Sequence, residues 1–324
     1  MFAKLGGIFQ GWLGIPLKTG LIFWLGGFFL WLFTIINWDA IDKLRFNKTL
    51  ADKERYVVKE WVGIWDFLRN IQESELVLFI LILVSLILLS GVLVKTVQFK
   101  LLRLCEGYGW FNILLEWRIE YYEKQYVQDL ARWKILEKKL STSSLNLLEN
   151  REYAGLDRKM VLAPAASLRM PTRLGNILRG YEQRPYEKYG LDSIICWSRL
   201  WLVLPESIQK ELSAARDALD ETIQIIAWGI LFFIWTSLSW FALPIALFLI
   251  GWGYHLALDA AEIYGQLIEA TFDMYRHLLY KALNRELPKD SEAERVAGLE
   301  LTRYLWRGGS NPNASKDTKL ILPK

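Results

Sequence analysis

The sequence predicts an all-α, multi-pass membrane protein with about four spans, a helical soluble domain and a terminal hairpin of long helices. The run Leu76–Val94 holds nineteen residues without a charged side chain. At 1.5 Å rise per residue it is long enough to cross the ~30 Å hydrocarbon layer of a bilayer. Hydrophobic residues make up 53% of the 324-residue chain although 23% are charged, so the charges must lie in separate blocks. The 16 Trp and 14 Tyr residues suit the boundary between water and lipid.

The first span is predicted at Thr19–Trp38, a long apolar run that ends before Asp39. A secretory signal peptide is the alternative, but aromatic residues fill the place where its small-residue cleavage site would lie. Ahead of this span, apolar residues recur at helical spacing over Phe2–Leu13 and predict a short helix on the membrane surface. The segment Tyr56–Ile71 has one apolar and one charged face, which predicts either an interfacial helix or a helix packed on the soluble domain.

The last membrane element is predicted to be a hairpin that rises over Ile223–Phe241 and returns over Leu243–Leu258. Pro244 falls in the first turn of the descending arm, where proline costs no helical hydrogen bond. Both arms are expected to continue into water, as Glu206–Thr222 and Asp259–Leu283, because each extension keeps apolar residues at helical spacing. The two extensions can therefore pack on each other outside the membrane.

Between these membrane regions the pattern predicts a soluble helical domain. A long helix is expected over Trp110–Leu140, followed by a break at Ser141–Ser144 and a further helical tract at Leu145–Tyr153. The polar, Gly- and Asn-rich residues after Arg307 predict a disordered end. The resulting division is an N-terminal membrane region at 1–103, a soluble domain at 104–205, a long hairpin at 206–287 and a tail at 288–324.

The charges that flank the spans decide the orientation only weakly. Residues 39–75 carry seven Lys and Arg, about as many as flank the spans on the other side. We expect the long middle segment in the cytoplasm because it is large and charged, and because Cys105 and Cys196 suit a reducing compartment. A single bridge between these two cysteines stays an alternative. The net charge of +4 gives no case for binding nucleic acid.

The stretch Met170–Pro205 holds more specialised residues than a plain helix or a linker requires. The motifs are PTRLGN, YGLD and WSRL, followed by LP, and their distinctive residues are Thr172, Gly175, Asn176, Tyr189, Asp192, Trp197 and Arg199. In these motifs the chain resembles a family of bacterial multi-pass membrane proteins of unknown function, although Ser198 stands where many relatives have Pro. The resemblance covers about a tenth of the chain. It implies a final membrane hairpin and a bacterial plasma membrane, and it implies no activity.

Basic residues are concentrated at positions 158–184, where Glu182 is the only acid. They are Arg158, Lys159, Arg169, Arg173, Arg179 and Arg184. Thr172 is expected to cap a helix that begins at Arg173. The cluster could hold lipid phosphates at the cytoplasmic leaflet, where each basic residue is worth ~1 kcal/mol. The alternative is that the arginines pair with Asp and Glu on neighbouring helices and that Asp192 fixes a tight turn.

A stripe of acidic and amide residues follows the last span at spacings of three and four, so its members share one helical face. They are Asp259, Glu262, Gln266, Glu269 and Asp273. In a symmetric oligomer this stripe would form rings of carboxylates, which is how a cation-conducting vestibule is built. In a monomer it is a solvated face.

Support for catalysis is poor. The sequence has only His255 and His277, and none of the HExxH, CxxC, GxSxG, P-loop or GxGxxG patterns. We therefore expect no cofactor and no metal, and a non-enzymatic, homo-oligomeric protein that serves ion permeation or membrane scaffolding. Its expected partners are membrane lipids and copies of itself, with a protein partner as an open alternative and no nucleic acid. A membrane-embedded enzyme acting on a lipid is the other functional reading, because sequence spacing does not reveal spatial pairs of carboxylates.

Overall fold

A computed structural model describes residues 20–30, 73–142 and 144–308, and all regular structure in these ranges is helical. The α-helices in chain order are α1 (Gly20–Leu30), α2 (Glu73–Glu106), α3 (Trp110–Thr142), α4 (Leu147–Leu162), α5 (Arg173–Tyr189), α6 (Ser193–Val203), α7 (Glu206–Phe232), α8 (Ala242–Ala282) and α9 (Ser291–Arg307). Two short 3-10 helices, Ala166–Leu168 and Phe233–Ser237, lie before α5 and after α7. The all-α prediction is confirmed for the described residues.

Three of the described helices, α2, α7 and α8, are long and apolar enough to cross a membrane. The side chains of Leu76–Leu86 in α2 are all exposed, which suits a helix surrounded by lipid and needing no polar face. The predicted first span is helical over α1, and the rest of that span lies outside the described residues. The predicted segments Phe2–Leu13 and Tyr56–Ile71, and the chain beyond Gly308, also lie outside them.

The chain divides into two compact units, the first being Met1–Leu102 with Asp220–Leu256. In its described part, α1 packs through Phe23 on Trp228 of α7, with ring centroids 5.2 Å apart. Trp24 donates from Nε1 to the Ser90 hydroxyl over 3.2 Å and so ties α1 to α2. Helices α7 and α8 approach closely at Gly229, where a Cβ atom would lie 2.9 Å from the side chain of Ile250. Small residues at helix contacts are typical of helices that pack in lipid.

The second unit comprises Arg103–Leu219 and Ala257–Lys324. Helices α3 and α4 pack on each other through buried Leu136 and Leu156. Asn146 and Glu149 form a reciprocal capping box at the start of α4, which satisfies two of the free N–H groups of its first turn. A separate core joins the helices α6 to α9 and includes Leu200, Leu212, Phe272, Leu279 and Leu301.

The YGLD motif forms the turn between α5 and α6 and holds α9 against it. Gly190 ends α5 in the left-handed conformation, with φ of 69°, and a Cβ atom there would lie 2.3 Å from the Arg295 carbonyl oxygen. Only glycine meets both demands. The Thr302 hydroxyl donates to the Gly190 carbonyl over 3.0 Å and accepts from the Asp192 N–H over 3.1 Å. The motif therefore fixes the position of α9.

Several boundaries differ from those predicted from the sequence. The α-helix that was expected to reach Phe241 ends at Phe232 and continues as a 3-10 helix. Helix α4 runs to Leu162, nine residues beyond the predicted end of its tract. The range 288–324, interpreted as a tail, contains α9. Helix α9 is rich in charged residues, and the burial of its apolar face depends on contacts with the YGLD turn. Sequence periodicity does not predict such tertiary contacts.

Candidate functional site

A cavity of about 750 Å³ lies within the second unit, lined by α3, α4, the segment between α4 and α5, the first half of α5 and one residue of α8. This volume falls in the range of about 300–1,000 Å³ typical of small-molecule sites. Five basic side chains line it, namely Arg118, Arg158, Lys159, Arg169 and Arg173. Two carboxylates, Asp129 and Glu262, and four tyrosines, Tyr121, Tyr122, Tyr126 and Tyr181, also line it. Positive charge therefore exceeds negative charge in a site that also contains four tyrosine side chains.

Three of the basic side chains are already paired with carboxylates. Arg158 pairs with Glu262 of α8, and Lys159 lies 3.3 Å from the Asp129 carboxylate of α3. Arg169 pairs with Glu123 and stacks 4.1 Å from the ring centroid of Tyr126. The Arg169 side chain is only 5% exposed. A buried arginine held by both a carboxylate and a ring is a rigid part of the wall.

The other two basic side chains are available to a ligand. The Arg118 guanidinium donates to the Tyr122 hydroxyl over 3.0 Å, and Arg173 is exposed at the first position of α5. Neither has a carboxylate partner within the described part of the chain. Both guanidinium groups keep N–H donors that can take an anion in the fork geometry that arginine offers to phosphate or carboxylate.

Local sequence fixes the entrance of α5 beside these arginines. Thr172 caps α5, accepting from the Gly175 N–H over 3.0 Å, and its hydroxyl donates to the Glu106 carbonyl over 2.7 Å. The predicted cap is confirmed. The Asn176 side chain bonds both the N–H and the carbonyl of Met170, each over 2.8 Å. The PTRLGN motif thus closes a tight loop that holds Arg173 at the cavity.

The predicted basic cluster is only partly brought together. Arg158, Lys159, Arg169 and Arg173 line the cavity, whereas Arg179 and Arg184 do not. Arg179 pairs with Glu182 one turn later on α5 over 3.1 Å, and Arg184 pairs with Glu269 of α8 over 3.1 Å. Ion pairing to neighbouring helices, which was the alternative reading of the cluster, therefore occurs at several of these arginines.

The acidic stripe of α8 faces these basic residues at three of its positions. Glu262 pairs with Arg158, and Glu269 lies 2.6 Å from Lys188 of α5. Asp273 lies 3.0 Å from the same lysine and accepts from the Tyr189 hydroxyl over 2.7 Å. Asp259 and Gln266 are exposed. The stripe thus supplies a row of ion pairs that joins α8 to α4 and α5.

The remaining motif residues serve packing and capping. Asp192 is the N-cap of α6 and accepts from the Ile195 N–H over 2.9 Å. Burial raises the pKa of the Asp192 carboxyl above its ordinary value, against the opposing effect of the backbone N–H groups it accepts from. The Trp197 ring packs on Phe272, with centroids 6.2 Å apart, and Arg199 donates to the Ile195 carbonyl over 3.0 Å.

Sequence reasoning missed the wall that α3 contributes. Arg118, Tyr122, Tyr126 and Asp129 follow one another at spacings of four, four and three, so they share one helical face. That signal was present in the sequence. Polar and apolar residues are mixed on every side of α3, and periodicity alone does not tell a ligand-facing side from a solvated one.

The two histidines do not contribute to this cavity. His255 and His277 are exposed on α8 and do not line it. Among the described residues, no group of three or more His, Cys, Asp and Glu side chains is arranged to hold a metal ion. The charged groups that line the cavity are therefore its arginines, its lysine and its two carboxylates.

Comparison of the chain with models of protein families, with curated proteins and with solved structures gives no match. The resemblance to the bacterial membrane family in the PTRLGN, YGLD and WSRL motifs stays a prediction. The functional interpretation consequently rests on the geometry of the cavity.

Proposed function

We propose that this is an integral membrane protein whose helical second unit binds a phosphate-bearing anion in the cavity between α3, α4 and α5. The observation that carries the proposal is the pair Arg118 and Arg173, two guanidinium groups without carboxylate partners in the described residues of a cavity of ligand size. Guanidinium groups bind phosphate oxygens in a bidentate manner. The tyrosine hydroxyls add polar contacts, and their rings can cover the rest of a ligand.

A lipid headgroup is the source that the chain favours. Glu262, which lines the cavity, follows Leu258 by one turn of the same helix, and Leu258 ends the apolar run expected to lie in the bilayer. On this helix Glu262 is therefore expected just outside the apolar run, where lipid phosphate groups begin. Such binding would make the protein a membrane scaffold organised around anionic lipid, in line with one of the two roles expected from the sequence.

Ion permeation has less support from the acidic stripe. Glu262, Glu269 and Asp273 are held by basic side chains of the same chain, so they offer less negative charge to a passing cation. The homo-oligomer expected from the sequence stays a prediction. A lipid-modifying enzyme has less support, because the two carboxylates that line the cavity are held in ion pairs by Arg158 and Lys159.

The test uses the full-length protein in lipid nanodiscs. Native mass spectrometry would measure retention of phosphatidic acid and phosphatidylglycerol against phosphatidylcholine, and calorimetry would measure binding of soluble glycerol 3-phosphate. The double variant R118Q/R173Q should bind anions about tenfold more weakly or worse, since each charge-assisted hydrogen bond is worth about 1.5–3 kcal/mol. The matched variant K134Q/R151Q removes two exposed charges from α3 and α4 outside the cavity.

The two measurements distinguish a lipid headgroup from a soluble phosphate as the ligand. Retention of anionic lipid that falls in R118Q/R173Q but not in K134Q/R151Q supports a headgroup site. Binding of glycerol 3-phosphate without any lipid preference would assign the cavity to a soluble phosphate. Equal losses in both double variants would mean that only general surface charge is at work, and that result would overturn the site.

A further inference from the structure

We infer that the cavity selects a dianionic phosphate monoester over a phosphate diester, an inference that rests on the proposed phosphate binding and names its ligand class. In lipid terms this means a headgroup ending in a phosphate, such as phosphatidic acid. In soluble terms it means a sugar or glycerol phosphate. The inference comes from the charges around the cavity, taken one by one.

Most of the basic side chains that line the cavity are neutralised by carboxylates of the protein itself. Arg158, Lys159 and Arg169 each face a carboxylate, from Glu262, Asp129 and Glu123 respectively. A ligand that contacted these basic groups would have to displace or oppose a fixed negative charge, which electrostatic complementarity disfavours. Within the described parts of the chain, the charge left for a ligand is therefore that of Arg118 and Arg173.

Two guanidinium groups that have no carboxylate partner among the described residues favour a ligand with two negative charges. A phosphate monoester carries about −1.5 to −2 at neutral pH and has three terminal oxygens, so it offers charge and acceptors to both arginines that line the cavity. A diester carries a single charge and has two terminal oxygens, which one guanidinium already satisfies in the bidentate arrangement. The second arginine would then gain little from a diester.

The size of the site points to a phosphate attached to a larger group. The cavity of about 750 Å³ suits a ligand of many atoms, because small-molecule sites enclose most of the ligand surface. The ring of Tyr181 is buried and packs closely on Gly265 of α8, while Tyr121 is 55% exposed. One rigid and one accessible ring can cover the non-phosphate part of the ligand.

Two calorimetric titrations of the full-length protein in phosphatidylcholine nanodiscs test the inference. The probes are glycerol 3-phosphate, a monoester, and glycerophosphoglycerol, a diester of similar polarity. At pH 7.5 the monoester should bind about tenfold more tightly, as one additional charge-assisted contact provides. Lowering the pH to 5 should weaken monoester binding up to about tenfold because its second pKa lies near 6, and diester binding should stay unchanged.

The diester serves as the control for titration of the protein's own side chains, because it would contact the same cavity residues as the monoester. The charged and titratable side chains that line the cavity are Asp129, Glu262, the five basic residues and the four tyrosines, and Glu123 pairs with the lining Arg169. Any protonation among them alters both probes. The variant R173Q should reduce the monoester affinity to that of the diester.

Each outcome of the two titrations either supports the inference or overturns it. Tighter monoester binding with the stated pH dependence, lost in R173Q, supports the inference. Equal affinity for both probes overturns it while the proposed phosphate binding stands. If neither probe nor either anionic lipid binds, the proposed function itself fails.

Discussion

A single carboxylate, Asp192, combines two opposing contributions to stability. Its side chain caps α6 through the Ile195 N–H, and an N-cap of this kind is worth about 1 kcal/mol. It is also buried, at 5% exposure, and burial raises the pKa of its carboxyl above the ordinary value of 3.8. The cap favours Asp or Asn equally, whereas burial disfavours only the ionised acid.

We expect D192N to become more stable relative to the parent protein as the pH rises above about 4. The folded state holds the Asp192 proton more tightly than the unfolded chain, so the parent is most stable below the ordinary pKa. That stability is lost as the pH rises through the raised pKa, and Asn has no such titration. Thermal unfolding in detergent, followed by circular dichroism between pH 4 and 8, measures the difference.

Two further variants make this measurement specific. D192A removes the cap and should destabilise at every pH by about 1 kcal/mol. D290N changes the exposed N-cap of α9 and serves as the matched control for replacing a capping Asp. A difference between D192N and the parent that stays constant with pH would contradict the assigned role of burial.

At the scale of elements, the contact between the end of α2 and the start of α5 depends on Gly175. A Cβ atom there would lie 2.1 Å from the Glu106 carbonyl oxygen, a backbone atom that cannot swing away. G175A should therefore destabilise the protein by about 1–3 kcal/mol, as overpacked sites do. G155A is the matched control, because nothing lies within 4 Å of a Cβ on Gly155, and it should stabilise α4 by up to about 1 kcal/mol.

G175A should also weaken anion binding, because it would displace the start of α5. Arg173 lies two residues before Gly175, and the loop that positions it is held by Thr172 on the same Glu106 carbonyl. Loss of stability in G175A without weaker anion binding would show that the entrance of α5 does not position Arg173. Full stability in G175A would contradict the close approach itself.

The elements also show how far the sequence could lead. Helical spacing predicted α3 and both arms that became α7 and α8, and the capping chemistry of Thr172 located the start of α5. The cavity could not be derived in the same way. Its walls come from α3, α4, α5 and Glu262 of α8, and which helix faces meet depends on packing rather than on the period within any one helix. The ion pairs of Arg158 and Arg184 were foreseen only as one alternative for the same reason.

At the scale of the whole molecule, the membrane topology cannot be measured by labelling the native Cys196. Cys196 is completely buried, and burial raises the pKa of its thiol to about 12. A thiol reagent would leave it unlabelled on either side of the membrane, because the reactive species is the thiolate. Introduced cysteines at exposed positions are needed instead.

We expect cysteines introduced by K53C and S237C to be labelled from one side of the membrane and a cysteine introduced by S291C from the other. Ser237 is exposed after α7, where the proposed hairpin turns, and Ser291 begins α9. If α2, α7 and α8 all cross, three spans separate Lys53 from Ser291, and two separate it from Ser237. An odd number of crossings places two positions on opposite sides.

The experiment uses a variant without Cys105 and Cys196, intact cells and a membrane-impermeant maleimide, with permeabilised cells as the control for reactivity. The positive-inside rule leaves the orientation near a tie, and we expect S291C to be protected until permeabilisation. Labelling of S237C and S291C from the same side would mean that α7 and α8 do not cross as a pair, and the hairpin would then have to lie on one surface of the membrane.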